Sequence, residues 1–426
     1  MPEQMKADMV IIGAGIAGTS LAFTAAKRLG SRVVLLDDGR QGTTHSATGL
    51  VAPRVDYMLR DIDLVRFSDT QCAVWKMMFP HLVVPTRFLI PIDPQSRWRY
   101  KAMESLLKIY DKLTPQRGHT LLPSGRISRS ELKEKEPNLR NDYFDGALSL
   151  WEFMVNPGKL LRELDAMGQE LTGYRKIIIK PGGLKMRREG KNIREIRVET
   201  RDNQTLKIGN VNKPIIIVNA AGPWIQDVVA SFGINLGVKF FLGIQAAVPG
   251  HFFNSGVITF DKNGKYCICL PCGTYTQVGP TNTMFAGHPD DVEISSGDID
   301  YLVNIFKYLL KRGISAEGGG FLKAGLRVKP AFGDTNRPVI WSHAKDGVNN
   351  LYTLFPGKMS LGLCAATEMM AVLETDGWFW PKKPDSRPRH GRSQFALDGD
   401  SGRINTIFLE KERVKSLIEI GNLWFK

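Results

Sequence analysis

The sequence predicts an α/β protein, α+β overall, in which a parallel-sheet domain is interleaved with a domain of antiparallel strands. Three observations lead there. An apolar run, a glycine-rich turn, a helical pattern and a second apolar run follow one another within the first forty residues. A further buried-strand run, Ile215-Ile216-Ile217-Val218, stands far downstream and ends in a turn of small residues. Beyond it, the runs 238–248, 257–260, 266–270 and 275–278 alternate apolar and polar residues as antiparallel strands do.

Met9-Val10-Ile11-Ile12 is short, apolar and rich in β-branched side chains, the pattern of a strand buried on both faces. Gly13-Ala14-Gly15-Ile16-Ala17-Gly18 follows at once. Ile16, Leu21, Ala22, Ala25, Ala26 and Leu29 then form the apolar side of a helix, and Gly30 supplies its stop. Val33-Val34-Leu35-Leu36 makes the second strand and closes on Asp37, with Asp38 behind it. Gly13 permits a tight turn, Gly15 lets the backbone approach a diphosphate, and Gly18 lets helix and strand pack closely. The opening turn at Ile16 and Ala17 then presents free N–H groups and a partial positive charge to the phosphates. Asp37 lies nineteen residues after Gly18, placed to accept hydrogen bonds from both ribose hydroxyls. This is a Rossmann-like dinucleotide pattern. Asp37 and Asp38 would repel a 2′-phosphate, so NADP is disfavoured, and the loop alone leaves NAD and FAD both open.

At 426 residues the chain has room for two or three domains. Hydrophobic residues make up 43% and charged residues 23%, which excludes wholesale disorder. Five cysteines, odd in number and unevenly spread, read as reduced thiols of an intracellular protein. No segment approaches the ~20 apolar residues of a membrane span. Asp8 before the apolar start, three glycines within it and the lack of a cleavage site argue against a signal peptide, so a cytoplasmic location is expected, with peripheral contact at a membrane left open. The net charge of +14 favours anionic partners. It concentrates at 175–197, with nine basic residues against two acidic, and at 382–392, with five against one. Both read first as solvated surface, and nucleic acid is not expected as a partner.

Three further segments carry a resemblance. Gly42-Thr43-Thr44-His45-Ser46-Ala47-Thr48-Gly49-Leu50-Val51-Ala52-Pro53 follows the second strand; Asn219-Ala220-Ala221-Gly222-Pro223-Trp224 ends the third; and Gly325-Leu326-Arg327 precedes Phe355-Pro356-Gly357-Lys358-Met359-Ser360-Leu361-Gly362. In this order they resemble the D-amino-acid-oxidase superfamily of FAD-dependent oxidoreductases, across about residues 8–375. Within it the chain looks most like the FAD-dependent glycerol-3-phosphate dehydrogenases. That closer likeness rests on the Asn219 to Trp224 turn, on Val278-Gly279-Pro280-Thr281-Asn282-Thr283, on Asp298-Ile299-Asp300-Tyr301-Leu302 and on Gly357-Lys358.

The resemblance implies FAD as cofactor and a small anionic substrate. It implies that Ala221 and Gly222, with Trp224 beside them, let the backbone pass close to the cofactor. Thr43, Thr44, Gly49, Leu50 and Gly325 would add contacts. Gly357, Lys358, Met359, Ser360 and Leu361 would open a helix whose N–H groups face the flavin, where negative charge collects on reduction. Arg327 looks like the anion clamp, and Arg337 and Lys358 match positions of further positive charge. The implied topology is interleaved: residues 1–85, 150–228 and 322–378 form the FAD-binding domain, 86–149 and 229–321 the substrate domain, and 379–426 a basic tail with an amphipathic terminal helix.

Departures qualify the likeness. The glycerol-phosphate enzymes carry histidines where this chain has Gln245 and Ala52, and an arginine where it has Asp56. A carbinol needs a base for its hydroxyl proton, whereas an amine that arrives neutral does not. The leading reading is therefore a glycerol-3-phosphate dehydrogenase-like enzyme, with glycine or D-amino-acid oxidation as an alternative. A catalytically lapsed flavoprotein serving as a binding or assembly factor is another. The electron acceptor (oxygen, quinone or protein) is not set by the sequence.

Smaller features complete the reading. Asn263-Gly264 is a hairpin turn. Residues 299–310 have helical spacing, with Ser296 and Asp298 as capping residues. Residues 175–197 read as a hairpin turning at Pro181-Gly182-Gly183 and Gly190. Cys267 and Cys269 share one face of a strand and, with Cys272, read as packed thiols rather than metal ligands. His45, in the loop expected near the flavin, is the histidine of most interest.

Overall fold

The computed structural model describes residues 3–30, 32–51, 62–114, 122–210, 213–261, 264–311, 320–331 and 337–378. Ala52, Pro53, Asp56, Asn263 and the expected tail helix lie outside the described residues. The described chain divides into two compact units, one of residues 3–45, 158–239 and 328–378, the other of residues 46–157 and 240–327. Residues 46–85, attached in the sequence reading to the first domain, fall in the second unit.

Among the described residues the first unit contains a nine-stranded sheet. Its order is Glu3–Lys6, Thr205–Gly209, Asn192–Thr200, Tyr174–Glu189, Val33–Asp37, Met9–Ile12, Ile216–Asn219, Leu351–Phe355 and Val339–Ser342. The five strands from Tyr174–Glu189 to Leu351–Phe355 run parallel. Leu36, Ile12, Asn219 and Thr353 stand in register across four of them. Asp37, Gly13 and Ala220 therefore leave the sheet along one carboxyl edge. The chain steps from Met9–Ile12 to the neighbour on one side and returns much later as the neighbour on the other, which makes this edge a topological switch point.

The helix Ile16–Leu29 ends as its sequence requires, with Gly30 in the left-handed region at φ 56° and its N–H donating to the Ala26 carbonyl. The helix Gly362–Thr375 packs against it so closely that a Cβ at Gly362 would lie 2.5 Å from Ile16 Cγ1 and 3.1 Å from the Ile16 carbonyl oxygen. Met9, Ile11, Leu21, Leu35, Val218 and Met369 form the buried centre of this unit. One expectation is corrected here. Pro181-Gly182-Gly183 does not turn the chain; it forms a bulge between Ile179 and Leu184 inside a single strand, Tyr174–Glu189, and the reversal comes at Gly190. Pairing with Asn192–Thr200 on both sides of the bulge overrides the local turn chemistry.

The second unit contains, among the described residues, a ten-stranded sheet. Its main path runs Thr283–Phe285, Val238–Pro249, Tyr275–Gly279, Tyr266–Cys272, Gly256–Phe260, Val84–Pro91, Ala147–Met154 and Leu50–Val51. Phe321–Pro330 lies beside Val238–Pro249, and Gly125–Ile127 beside Ala147–Met154. Along the main path, and for Gly125–Ile127 with Ala147–Met154, the pairings are antiparallel except that of Gly256–Phe260 with Val84–Pro91. Leu242, Ile244, Val257, Cys267, Cys269 and Phe306 belong to one core cluster of this sheet. The two thiols are core side chains, and burial pushes Cys267 up to about 12 and raises Cys269 as well. The helix Ser296–Leu309 is capped by Ser295, whose extended backbone lets its Oγ accept the Asp298 N–H at 3.1 Å. Ser296, the residue expected to cap, is already inside the helix.

Candidate functional site

The glycine turn after Met9–Ile12 is built by contact rather than by slack. Gly13 has φ 100°, and a Cβ on it would lie 2.7 Å from both the Ala220 carbonyl oxygen and the Ala221 Cα. A Cβ on Gly18 would run into the Gly13 carbonyl oxygen. Gly15 is different: a Cβ there would meet only Thr44 Oγ1, at 3.4 Å. Gly13 and Gly18 are therefore glycines for the fold, and Gly15 keeps open the space in front of the helix. The Ile16 N–H donates to Thr44 Oγ1 at 3.1 Å, and Thr19 is the first residue to reach back, to the Gly15 carbonyl at 3.0 Å. The helix offers no acceptor to the Ala17 and Gly18 amides. Asp37 closes the far side, its Oδ1 accepting the Ala14 N–H at 3.3 Å. Two outward amides at a positive helix end beside a carboxylate, with nothing but a threonine hydroxyl near the Gly15 Cβ position, fit a ribose-linked diphosphate.

Asp38 is occupied otherwise. Arg40 donates to its carboxylate at 2.7 Å and Arg201 donates to its carbonyl at 3.0 Å. The Arg40 guanidinium also stands 4.1 Å over the Trp224 ring, so the 38–44 loop is fastened to the turn that follows Ile216–Asn219. Thr43 and His45 sit in the turn at 43–46. The His45 ring is held below the ordinary imidazole pKa, first by lost hydration, with Asp37 opposing and Lys176 and Arg162 adding repulsion.

Across the same edge, the Ala221 N–H is held by Asn219 Oδ1 at 3.3 Å, and Gly222, at φ 58°, has nothing within 4 Å of its Cβ position. Gly357, at φ 73°, turns the chain out of Leu351–Phe355 into the short turn Met359–Leu361 and the helix Gly362–Thr375. The Lys358 carbonyl accepts the Leu361 N–H at 3.1 Å. Val339 pairs with Phe355, so Arg337, two residues before it, comes to the same end of the hairpin as Gly357 and Lys358.

The remaining expected residues belong to the second unit. Gly243 and Gln245 face the same side of Val238–Pro249, because side chains two apart on a strand share a face. The Arg327 guanidinium lies on Gly243, where a Cβ would come within 2.6 Å of Nη2. Its Nη1 donates to Asn282 Oδ1 at 2.8 Å and to the Thr281 carbonyl at 3.3 Å. Gln245 is 3% exposed. Its Nε2 donates to the Ser46 carbonyl at 2.5 Å, while its Oε1 has no hydrogen-bond partner among the described residues. Ser46 in turn donates to the Ala324 carbonyl at 2.7 Å, and a Cβ on Gly325 would lie 2.5 Å from Ser46 Cβ. Gly49, at φ 85°, accepts the Val155 N–H at 2.8 Å, and Leu50 pairs with Met154, so both serve the sheet. Sequence reasoning missed Ser46 as the holder of Gln245, and Thr281 and Asn282 as holders of Arg327. It also missed the part of Asn219, whose one signal was a polar side chain ending an apolar run.

Residues 8–366 match the family described as FAD dependent oxidoreductase. The chain belongs to that family. As an FAD-dependent oxidoreductase it is 27% identical over 375 residues to the D-erythritol 1-phosphate dehydrogenase of Brucella abortus, covering 84% of this chain and 72% of the relative. It is 25% identical over 378 residues to the aerobic glycerol-3-phosphate dehydrogenase of Staphylococcus aureus, covering 83% of this chain and 64% of that relative. Among solved structures, the glycerol-3-phosphate dehydrogenase from Bacillus halodurans complexed with FAD superposes with a TM-score of 0.66 at 20% identity, covering 87% of this chain and 65% of that one. The chain thus spans about two thirds of the length of these proteins. The family's cofactor is the FAD expected from the sequence. No helix among the described residues is long and apolar enough to cross a membrane.

Proposed function

We propose that this FAD-dependent oxidoreductase oxidises a small polyol phosphate, drawing hydride from a carbon that bears a hydroxyl group. The observation that carries the reading is Arg327 laid on Gly243, two residues along the same strand face from the buried carbonyl of Gln245, which has no hydrogen-bond partner among the described residues. Positions two apart on a strand are ~7 Å apart. That spacing suits a substrate whose anionic group and reacting hydroxyl are separated by a few bonds. The planar guanidinium, steadied by Asn282 and Thr281, has the fork geometry that matches phosphate oxygens. Gln245 Oε1 accepts a hydrogen bond from the substrate hydroxyl and fixes its direction. An amide does not take the proton, so Gln245 positions the substrate and is not the base; the hydroxyl proton passes to water as the hydride leaves for the flavin. The names of the two relatives, which act on erythritol and glycerol phosphates, speak for the same substrate class.

In this reading the first unit holds FAD. The Ala17 and Gly18 amides meet the diphosphate and Asp37 the ribose; Ala221-Gly222 lets the backbone approach, and the Met359–Leu361 turn presents amides to the flavin. What FAD supplies when bound is a two-electron acceptor for the hydride. Arg337 and Lys358 add positive charge at that end of the sheet. A second reading, oxidation of a small amino acid, rests on Gln245 and Ala52 standing in place of histidines, because a neutral amine needs no base.

Anaerobic bleaching of the flavin band near about 450 nm decides between them. Glycerol 3-phosphate or erythritol phosphate is expected to bleach it, and glycine, D-amino acids and 2-hydroxy acids to leave it. Bleaching by an amino acid alone would establish the second reading. A bound flavin that no substrate reduces would point to a binding or assembly protein and overturn both.

A further inference from the structure

We propose that Asp346, His343, Thr353 and Asn219 form a buried hydrogen-bond relay that positions the Ala220-Ala221-Gly222 turn against FAD. The inference rests on the reading of that turn and the Gly13 loop as the cofactor's seat. His343 is 1% exposed, and Thr353 and Asn219 are fully buried. His343 Nδ1 lies 2.8 Å from Asp346 Oδ2 and its Nε2 lies 2.9 Å from Thr353 Oγ1. Asn219 Nδ2 donates to Thr353 Oγ1 at 3.4 Å and to the Ile225 carbonyl at 2.7 Å. Asn219 Oδ1 accepts the Ala221 N–H at 3.3 Å.

The donors all point one way. A carboxylate only accepts, so Nδ1 of a neutral His343 carries the proton and Nε2 is left to accept the Thr353 hydroxyl. That hydroxyl, committed to His343, leaves its oxygen lone pairs for Asn219. The series therefore runs from the Ala221 amide through Asn219, Thr353 and His343 to Asp346, the arrangement in which successive hydrogen bonds strengthen one another. Burial favours neutral His343, with Asp346 opposing. The outer end is at the surface, the Asp346 side chain being 46% exposed. The inner end presses on the phosphate loop, since a Cβ on Gly13 would meet the Ala220 oxygen and Ala221 Cα at 2.7 Å. A hairpin needing only to fold would not require a buried imidazole here. An apolar side chain would fill the space without two ring nitrogens to satisfy. What the polar set adds is a fixed position for the turn at the carboxyl edge of the sheet.

The test uses the full chain, stripped of FAD and titrated with it. Thr353→Val removes the hydroxyl at nearly constant volume. The FAD dissociation constant should rise about tenfold, as expected for losing one to two buried hydrogen bonds, and the visible circular dichroism of bound flavin should change. Thr353→Ser should restore both. Asp346→Asn, at the solvent end, serves as the second variant should Thr353→Val fail to fold, and should weaken FAD about threefold. Leu373→Ala, in the same unit's core, should lower the apoprotein Tm and leave FAD affinity within about twofold of wild type. Gly15→Val fills the space before the helix and should abolish FAD binding. Loss with Gly15→Val but wild-type affinity and dichroism in Thr353→Val and Asp346→Asn would overturn the relay alone, as would equal weakening by Leu373→Ala. Undiminished binding by Gly15→Val would overturn the reading of the seat, and the relay with it.

Discussion

Replacing Gly243 by alanine tests the seat of Arg327. The added Cβ would lie 2.6 Å from Nη2 and 3.0 Å from Cζ of the guanidinium, where ordinary contact needs about 3.5 Å. The strand is held by its neighbours, so the side chain must yield, by about 1 Å. Such a shift breaks the 2.8 Å bond to Asn282 Oδ1 and the 3.3 Å bond to the Thr281 carbonyl, and it moves the guanidinium off the proposed position of the substrate's anion. A hydrogen bond from a charged donor contributes about 1.5–3 kcal/mol, so substrate affinity should fall roughly 10- to 100-fold. Anaerobic stopped-flow reduction of the flavin separates the terms. The substrate concentration at half-maximal rate should rise by that factor, the limiting rate should fall less, and flavin content should stay at the wild-type level. Unchanged half-saturation would refute the placement of the anion at Arg327. A matching loss of flavin would show that the substitution acts on the fold instead.

Three further outcomes follow from the same geometry. Gly18→Ala sets a Cβ against a backbone oxygen that cannot rotate away, so purified protein should carry little FAD, read from the ratio of flavin to protein absorbance. Four of the five thiols are buried and Cys272 is partly exposed, so a disulfide reagent at neutral pH should titrate one thiol in the native protein and five in denaturant. Burial alone would raise the Asp8 carboxyl, but its bonds to Arg32 and the charge of Lys213 prevail and hold it at about 2, below its ordinary 3.8. Its stabilisation is therefore complete above 3.8 and lost as pH falls toward 2. The gap in Tm between wild type and Asp8→Asn should narrow over that interval.

The parallel core was legible because its signals are local. The Ile16–Leu29 helix begins and ends at glycines that its sequence displays, and the strands around it are short apolar runs with no competing period. Cys267 and Cys269 could be placed on one buried face from a spacing of two. What could not be read is pairing at a distance. Asn282 supports Arg327 across 45 residues and Ser46 holds Gln245 across 199, and both follow from sheet order, which no local pattern encodes. Pro181-Gly182-Gly183 misled for the opposite reason. Its local preference for a turn is real, and a strand paired on both sides absorbed it as a bulge. The helix cap moved from Ser296 to Ser295 because two adjacent serines offer the same hydroxyl and only backbone geometry chooses between them.

The order of the first unit's strands also sets how the protein is born. Met9–Ile12 gains its neighbour Val33–Asp37 almost at once, but the partner for its other side, Ile216–Asn219, is encoded long afterwards. At ribosomal speeds of ~5–20 residues per second the interval is about 10 to 40 s. Throughout it the nascent strand shows a row of unsatisfied amides and carbonyls, the kind of edge that recruits other chains. Synthesis thus leaves the switch-point strand one-sided until the chain has passed its midpoint, and any agent that pairs with such margins has that long to act.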